Sequence, residues 1–177
     1  EKLITESQIV EFHQKGFIHI DSVFGHDEIV KLATHCDELI HSPDLPTEHL
    51  PDGFLSVRAC TTSSLALAKV ACSEKLLKIV MSILGPYISL IGSQIIYKLP
   101  LTGKPVYGTP EKHGWHQDIY GMHNDLGKNA PQCAIKIAIW MTHELEHEPA
   151  VTKFCPGSNN LGFPKISKGK ANPDIYI

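Results

Sequence analysis

The sequence predicts an α+β domain in which N-terminal helices buttress an antiparallel β-sandwich or barrel. Three observations lead there. Apolar residues recur at helical spacing in the segments before Leu84, and the pattern changes from Tyr87 onward. Between Cys133 and Met141 the residues sort into two faces, with Ile135, Ile137, Ile139 and Met141 on one and Lys136, Ala138 and Trp140 on the other. Gly, Pro, Asn and Ser punctuate the intervals between these segments. The 177 residues make one domain, helical over 1–86 and β over 87–177.

Thr5 followed by Gln8 reads as a capping box, and Ile9, Val10 and Phe12 give the helix behind it an apolar side that Gly16 closes. Phe17–Ile20 is a short strand. A second helix is expected from about Asp27 to His41, with Ile29, Leu32, Ala33, Cys36, Leu39 and Ile40 facing inward. Residues 42–53 hold Pro43, Pro46 and Pro51 and form a loop. Ser73 caps a third helix carrying Leu76, Leu77, Val80 and Leu84, which Gly85-Pro86 ends. Ile88–Leu99 is apolar enough for a strand buried on both faces. A Gly/Pro loop over 101–113 leads to a short strand from Trp115 to Tyr120. Val151–Cys155 is a last short strand, and Pro156-Gly157-Ser158-Asn159 a turn. Four or five strands are too few to close a barrel, and the tail after Gly162, with Pro164 and Pro173, adds none.

Composition narrows the function. Hydrophobic residues make up 42% and charged residues 20%, ordinary globular usage. A formal charge of −3 without a dense basic run argues against nucleic acid or an anionic membrane as the main partner. Five dispersed cysteines without CxxC spacing fit reduced thiols in the cytoplasm. No apolar run reaches the roughly 18 residues of a membrane span. The first residues, Glu1-Lys2-Leu3-Ile4, include neither a signal-peptide core nor Met, as in a chain that starts inside a longer protein or was processed.

Chemistry enters at His116-Gln117-Asp118. In a strand, residues two apart project to one face, so an imidazole and a carboxylate converge on one point. One neutral nitrogen and one anionic oxygen suit Fe(II), and a second His would complete a facial triad with open positions. The bare tripeptide is common on protein surfaces; its surroundings are what distinguish it. Gly16-Phe17 follows the first helix, Gln94-Ile95-Ile96-Tyr97-Lys98 leads into Pro100-Leu101-Thr102-Gly103, then come Trp115-His116-Gln117-Asp118, Ile137-Ala138-Ile139-Trp140 and Pro156-Gly157-Ser158-Asn159. This order resembles the phytanoyl-CoA dioxygenase family of Fe(II)/2-oxoglutarate-dependent oxygenases over nearly the whole chain.

The resemblance implies a double-stranded β-helix, a cupin-like jelly roll, behind buttressing helices. It implies Fe(II), 2-oxoglutarate and O2 as cofactor and cosubstrates, and hydroxylation of an unactivated C–H bond of a small-molecule substrate. His116 and Asp118 would bind iron, Gln94 and Trp140 would line the 2-oxoglutarate pocket, and Arg58 lies near a basic cosubstrate contact. The carboxylate of Asp118 favours hydroxylation over halogenation, because the related halogenases carry a small residue there. From the residues alone, Trp140 also fits a core aromatic, Gln94 a solvated strand residue and Arg58 a surface charge.

Departures accompany the likeness. Asn159 stands where the family's turn has His, and Pro149-Ala150 replaces an Asn-Gly hairpin. The family's third ligand is a later His, followed by an Arg that clamps the cosubstrate. This sequence has no histidine after His147 and no arginine after Arg58, and lysine is a poor substitute for the bidentate clamp. The chain is therefore expected to be the front two-thirds of a longer protein, with those residues and the missing strands beyond Ile177. The alternative is a binding or scaffold module that kept the fold and lost the chemistry.

His143-Glu144-Leu145-Glu146-His147 satisfies the HExxH pattern of zinc peptidases, which requires both His on one helical face. Pro149 and the alternating run before it leave no room for that helix, so a polar turn is expected. His113 lies three residues before His116 and projects to the opposite face of a regular strand, whereas His123 follows Gly121 in a loop and could swing in. Both are expected to be loop histidines.

Overall fold

The computed structural model describes residues 3–49, 54–98, 134–141 and 154–160. In chain order the elements are α1 (Glu6–Lys15), α2 (His26–Ile40), β1 (Glu48–His49), β2 (Phe54–Arg58), α3 (Cys60–Ser63), α4 (Leu65–Ala71), α5 (Glu74–Leu84), β3 (Gln94–Lys98) and a 3₁₀ turn at Ser158–Asn160. The chain divides into two compact units. The described residues of the first are 3, 21–49, 54–98 and 139–141; those of the second are 4–20, 134–138 and 154–160.

In the first unit, α2 opens where the Glu28 carboxylate reaches back 2.7 Å to the Gly25 N–H, closing one of the donors a helix start leaves open. The same carboxylate accepts from Lys75 Nζ at 2.8 Å, tying α2 to α5. Leu32, Cys36 and Ile40, one turn apart, form the buried stripe of α2. They pack on Leu55, Val57 and Ile95 of the sheet and on Cys60 and Leu67, with Ile139 and Met141 against the same core.

The sheet is antiparallel, ordered β1-β2-β3. Register explains its two faces. Leu55 pairs with Tyr97 and Val57 with Ile95, placing these four on the side of α2. Ser56 pairs with both Glu48 and Ile96, and Arg58 with Gln94, on the opposite side.

Beyond β2 the chain turns at Ala59, a non-glycine residue with φ 51°. The Ala59 N–H donates to the Ser93 carbonyl at 2.7 Å, and Thr61 bonds the Ser93 hydroxyl through its N–H at 3.1 Å and its Oγ1 at 2.8 Å. Ser64 caps α4, its hydroxyl accepting the Leu67 N–H at 3.3 Å. Ser73 caps α5 as expected, which buries Leu76 and Ile79 and ends at Gly85 with φ 85°.

The second unit is built on α1. The capping box is present: the Gln8 N–H donates to Thr5 Oγ1 at 3.2 Å and the Thr5 N–H to Gln8 Oε1 at 2.9 Å. At the other end, four carbonyls lack helical partners, and each finds a donor. The Gly16 N–H takes Phe12 O at 2.8 Å and the Gly157 N–H takes Lys15 O at 2.9 Å. Asn159 Nδ2 takes His13 O at 3.0 Å, and Asn160 Nδ2 takes Gln14 O at 3.1 Å. The Pro-Gly-Ser-Asn turn is thus the C-terminal cap of α1, and Asn159 supplies an amide donor to it.

Several expected strands change. Phe17–Ile20 is no strand; Phe17 instead stacks on Phe154, ring centroids 4.8 Å apart. The strand expected over Ile88–Leu99 begins only at Gln94, and before it Leu90 and Ile91 are 61% and 76% exposed rather than buried on both sides. No strand is assigned over residues 134–141, nor at Phe154 and Cys155. Conversely, β1 lies in the expected loop of residues 42–53, and β2 in the part expected to be helical. The 101–113 loop, the Trp115–Tyr120 strand, His113, His123 and the HExxH segment lie outside the described residues.

Candidate functional site

The sheet face turned away from α2 carries the polar residues. β2 is the central strand, and its Leu55 and Ser56 have partners on both neighbouring strands. Ser56 is fully buried there, at 0% exposure. Gln94, one pair along, donates from Nε2 to Ser56 Oγ across 2.6 Å. This bond runs diagonally between strands, because Gln94 sits directly opposite Arg58. Arg58 makes a second diagonal bond, Nε to Glu48 Oε2 at 2.8 Å, with its side chain 67% exposed. Two of the residues singled out in the sequence, Gln94 and Arg58, are therefore a cross-strand pair. Ser56 and Glu48, which hold them, were not singled out; the only sign was a serine set between Leu55 and Val57.

This face offers an amide and a guanidinium side by side. Only Nε of Arg58 is used on Glu48, which leaves the terminal amino groups of a planar, bidentate donor. Such donors suit the oxygens of an anionic ligand. Glu48 lowers the net positive charge of the pair and sets the guanidinium's direction. Trp140, also in the first unit, is 42% exposed while its neighbours Ile139 and Met141 pack on the core, so it is not a core aromatic.

His116 and Asp118 lie outside the described residues. Among the described residues, no three His, Cys, Asp or Glu side chains gather in a way that could hold a metal ion, and no helix is long and apolar enough to cross a membrane.

A second polar cluster has the order of a Ser–His–acid relay. His35 Nε2 is 2.7 Å from Ser64 Oγ, and its Nδ1 is 3.7 Å from Glu38 Oε2. The acid contact is too long for the hydrogen bond that orients such a histidine. The Ser64 hydroxyl is buried and already accepts the Leu67 N–H. This cluster fastens α4 to α2. Two further groups are shifted by their surroundings: burial, with Cys60 and Asp37 adding to it, pushes the Cys36 thiol up to about 11, and the Lys78 hydrogen bond holds the Glu74 carboxyl below its usual range.

The sequence model of the family described as "Phytanoyl-CoA dioxygenase (PhyH)" matches residues 12–174. A curated ectoine dioxygenase of Sphingopyxis alaskensis is 21% identical over 180 residues, covering 98% of this chain and 55% of its own length. The chain thus spans about half the length of that relative. No solved structure matches. The family match extends from within α1 past the 3₁₀ turn and includes the Trp115–Asp118 motif and both residues of the cross-strand pair, and on that breadth the chain belongs to the phytanoyl-CoA dioxygenase family.

Proposed function

We propose that this chain belongs to an Fe(II)/2-oxoglutarate-dependent oxygenase that hydroxylates an unactivated C–H bond of a small molecule. Its scaffold would be a double-stranded β-helix, of which the three-stranded sheet forms one part. His116 and Asp118 are two of the iron ligands in this reading, and Gln94, Arg58 and Trp140 line the 2-oxoglutarate site. The observation that carries it is the family match over residues 12–174, which spans the His116-Gln117-Asp118 motif. A relative that is itself a dioxygenase supports the same reaction class.

When bound, iron and 2-oxoglutarate supply the oxidising power: one oxygen atom of O2 goes to succinate as CO2 leaves, and the other to the substrate alcohol. The chain's own residues orient. Arg58 and Gln94 present N–H donors to an anionic ligand, and Glu48 keeps the guanidinium from turning away.

The test is an anaerobic titration of the full-length protein with Fe(II) and 2-oxoglutarate, followed by the visible charge-transfer absorption of the chelate. A band that Asp118→Ala abolishes supports the reading. Absence of the band from the full-length protein refutes it, leaving an oxygenase-fold binding module.

A further inference from the structure

We propose that Ser56 is a positioning residue, whose hydroxyl fixes the Gln94 amide so that it meets its ligand in one orientation. The inference rests on the reading of this face as part of the 2-oxoglutarate site.

Three observations carry it. Ser56 is fully buried at the middle of the central strand, between Leu55 and Val57, where an apolar β-former would ordinarily serve the sheet better. Its hydroxyl is 2.6 Å from Gln94 Nε2, a short bond that joins the buried serine to an exposed glutamine. Gln94 reaches that hydroxyl diagonally, past the Arg58 side chain directly opposite.

The consequences follow from the hydrogen-bonding capacity of a primary amide. One N–H of Gln94 is committed to Ser56, so Oε1 and the second N–H remain for a ligand, in a fixed order. A free glutamine has three side-chain torsions to settle on binding. Here the serine settles them beforehand, which is preorganisation, and the gain appears as affinity. Serine is also small: a larger residue between Glu48 and Ile96 would displace the amide.

The test is a double-mutant cycle on the full-length protein, reading the 2-oxoglutarate dissociation constant in the anaerobic Fe(II) titration, with each variant's unfolding midpoint measured alongside. Gln94→Ala and Ser56→Ala are each expected to weaken binding roughly three- to tenfold, the worth of one hydrogen bond. The double variant should bind no more weakly than Gln94→Ala, because Ser56 acts only through that amide. If Ser56→Ala is unfolded at the titration temperature, Ser56→Cys replaces it with the same expectation, since the thiol is a weak acceptor of similar size. Wild-type affinity in the serine variant beside a weakened Gln94→Ala overturns the positioning role and leaves the site reading intact, as does an additive double variant. Wild-type affinity in Gln94→Ala overturns the site reading itself.

Discussion

Replacing Gly16 by alanine tests the cap of α1 atom by atom. Gly16 has φ 85°, where an L-residue costs roughly 1–2 kcal/mol. An added Cβ would stand 2.8 Å from Asn159 Cγ and 2.9 Å from its Oδ1, closer than such atoms can approach. The Asn159 side chain must then move, and its bond to the His13 carbonyl lengthens or breaks, a loss of about 1 kcal/mol. Against this, alanine lowers the entropy of the unfolded chain by about 0.4–1 kcal/mol. The net expectation is a destabilisation of about 2 kcal/mol, read from the urea midpoint by far-UV circular dichroism. Asn159→Ala removes the colliding Cγ and Oδ1 but leaves its Cβ, 3.0 Å from the added carbon, and the backbone angle, so in that background the cost of Gly16→Ala should fall by about 1 kcal/mol. An unchanged penalty in the Asn159→Ala background, or a Gly16→Ala protein as stable as wild type, would refute the contact between the turn and the helix end.

Three further substitutions probe the first unit. Ser64→Ala removes both the cap of α4 and the hydroxyl facing His35, and should cost about 1–2 kcal/mol by urea titration, whereas a cost below 0.5 would mean the serine is dispensable there. Hydrogen bonds from Lys75 and then from the Gly25 N–H hold the Glu28 carboxyl below its ordinary 4.5. A lowered folded-state value means stabilisation that is present above 4.5 and lost as pH falls through the folded-state value. Glu28→Gln should therefore trail wild type in thermal midpoint at neutral pH and converge with it in acid; a gap that widens in acid contradicts the assignment. Cys36, its thiol pushed up to about 11 by burial, should react with a thiol reagent only as the protein unfolds, whereas exposed Cys72 reacts at once; equal rates would contradict the packing of α2 on the sheet.

How far the sequence is legible depends on where each element's determinants lie. The ends of α1 and α5 were readable because Thr5, Gln8, Gly16, Ser73 and Gly85 act within four residues of the backbone groups they serve. The buried stripe of α2 was readable because 3.6-residue periodicity persists over 15 residues. Strands are different. β2 is five residues long, and its identity comes from pairing with β3 about forty residues away, which no local window contains. The opposite failure occurs at Ile88–Ser93: apolarity alone describes a buried strand and an exposed segment equally well, as Leu90 and Ile91 demonstrate. In the 134–141 run Ile139 and Met141 pack on the core without forming a strand, whereas Ile137, expected on the same face, is 39% exposed.

The same reasoning separates what could be known of the candidate site. Resemblance singled out Gln94 and Arg58 one by one, 36 positions apart, and only the register makes them neighbours. The register in turn is fixed by the other face. Leu55, Val57, Ile95 and Tyr97 face the core together in this pairing, and a slip of one residue would put Ser56 and Arg58 against α2. The apolar side of the sheet thereby positions the polar side. Burial holds the strands in register, the register places an amide opposite a guanidinium, and Ser56 and Glu48 on the two diagonals hold those side chains in place. A core substitution such as Val57→Ala is thus expected to act on ligand binding only through stability, whereas Ser56→Ala is expected to act on it through the Gln94 amide at unchanged register, which is why the serine rather than its apolar neighbours carries the decisive test.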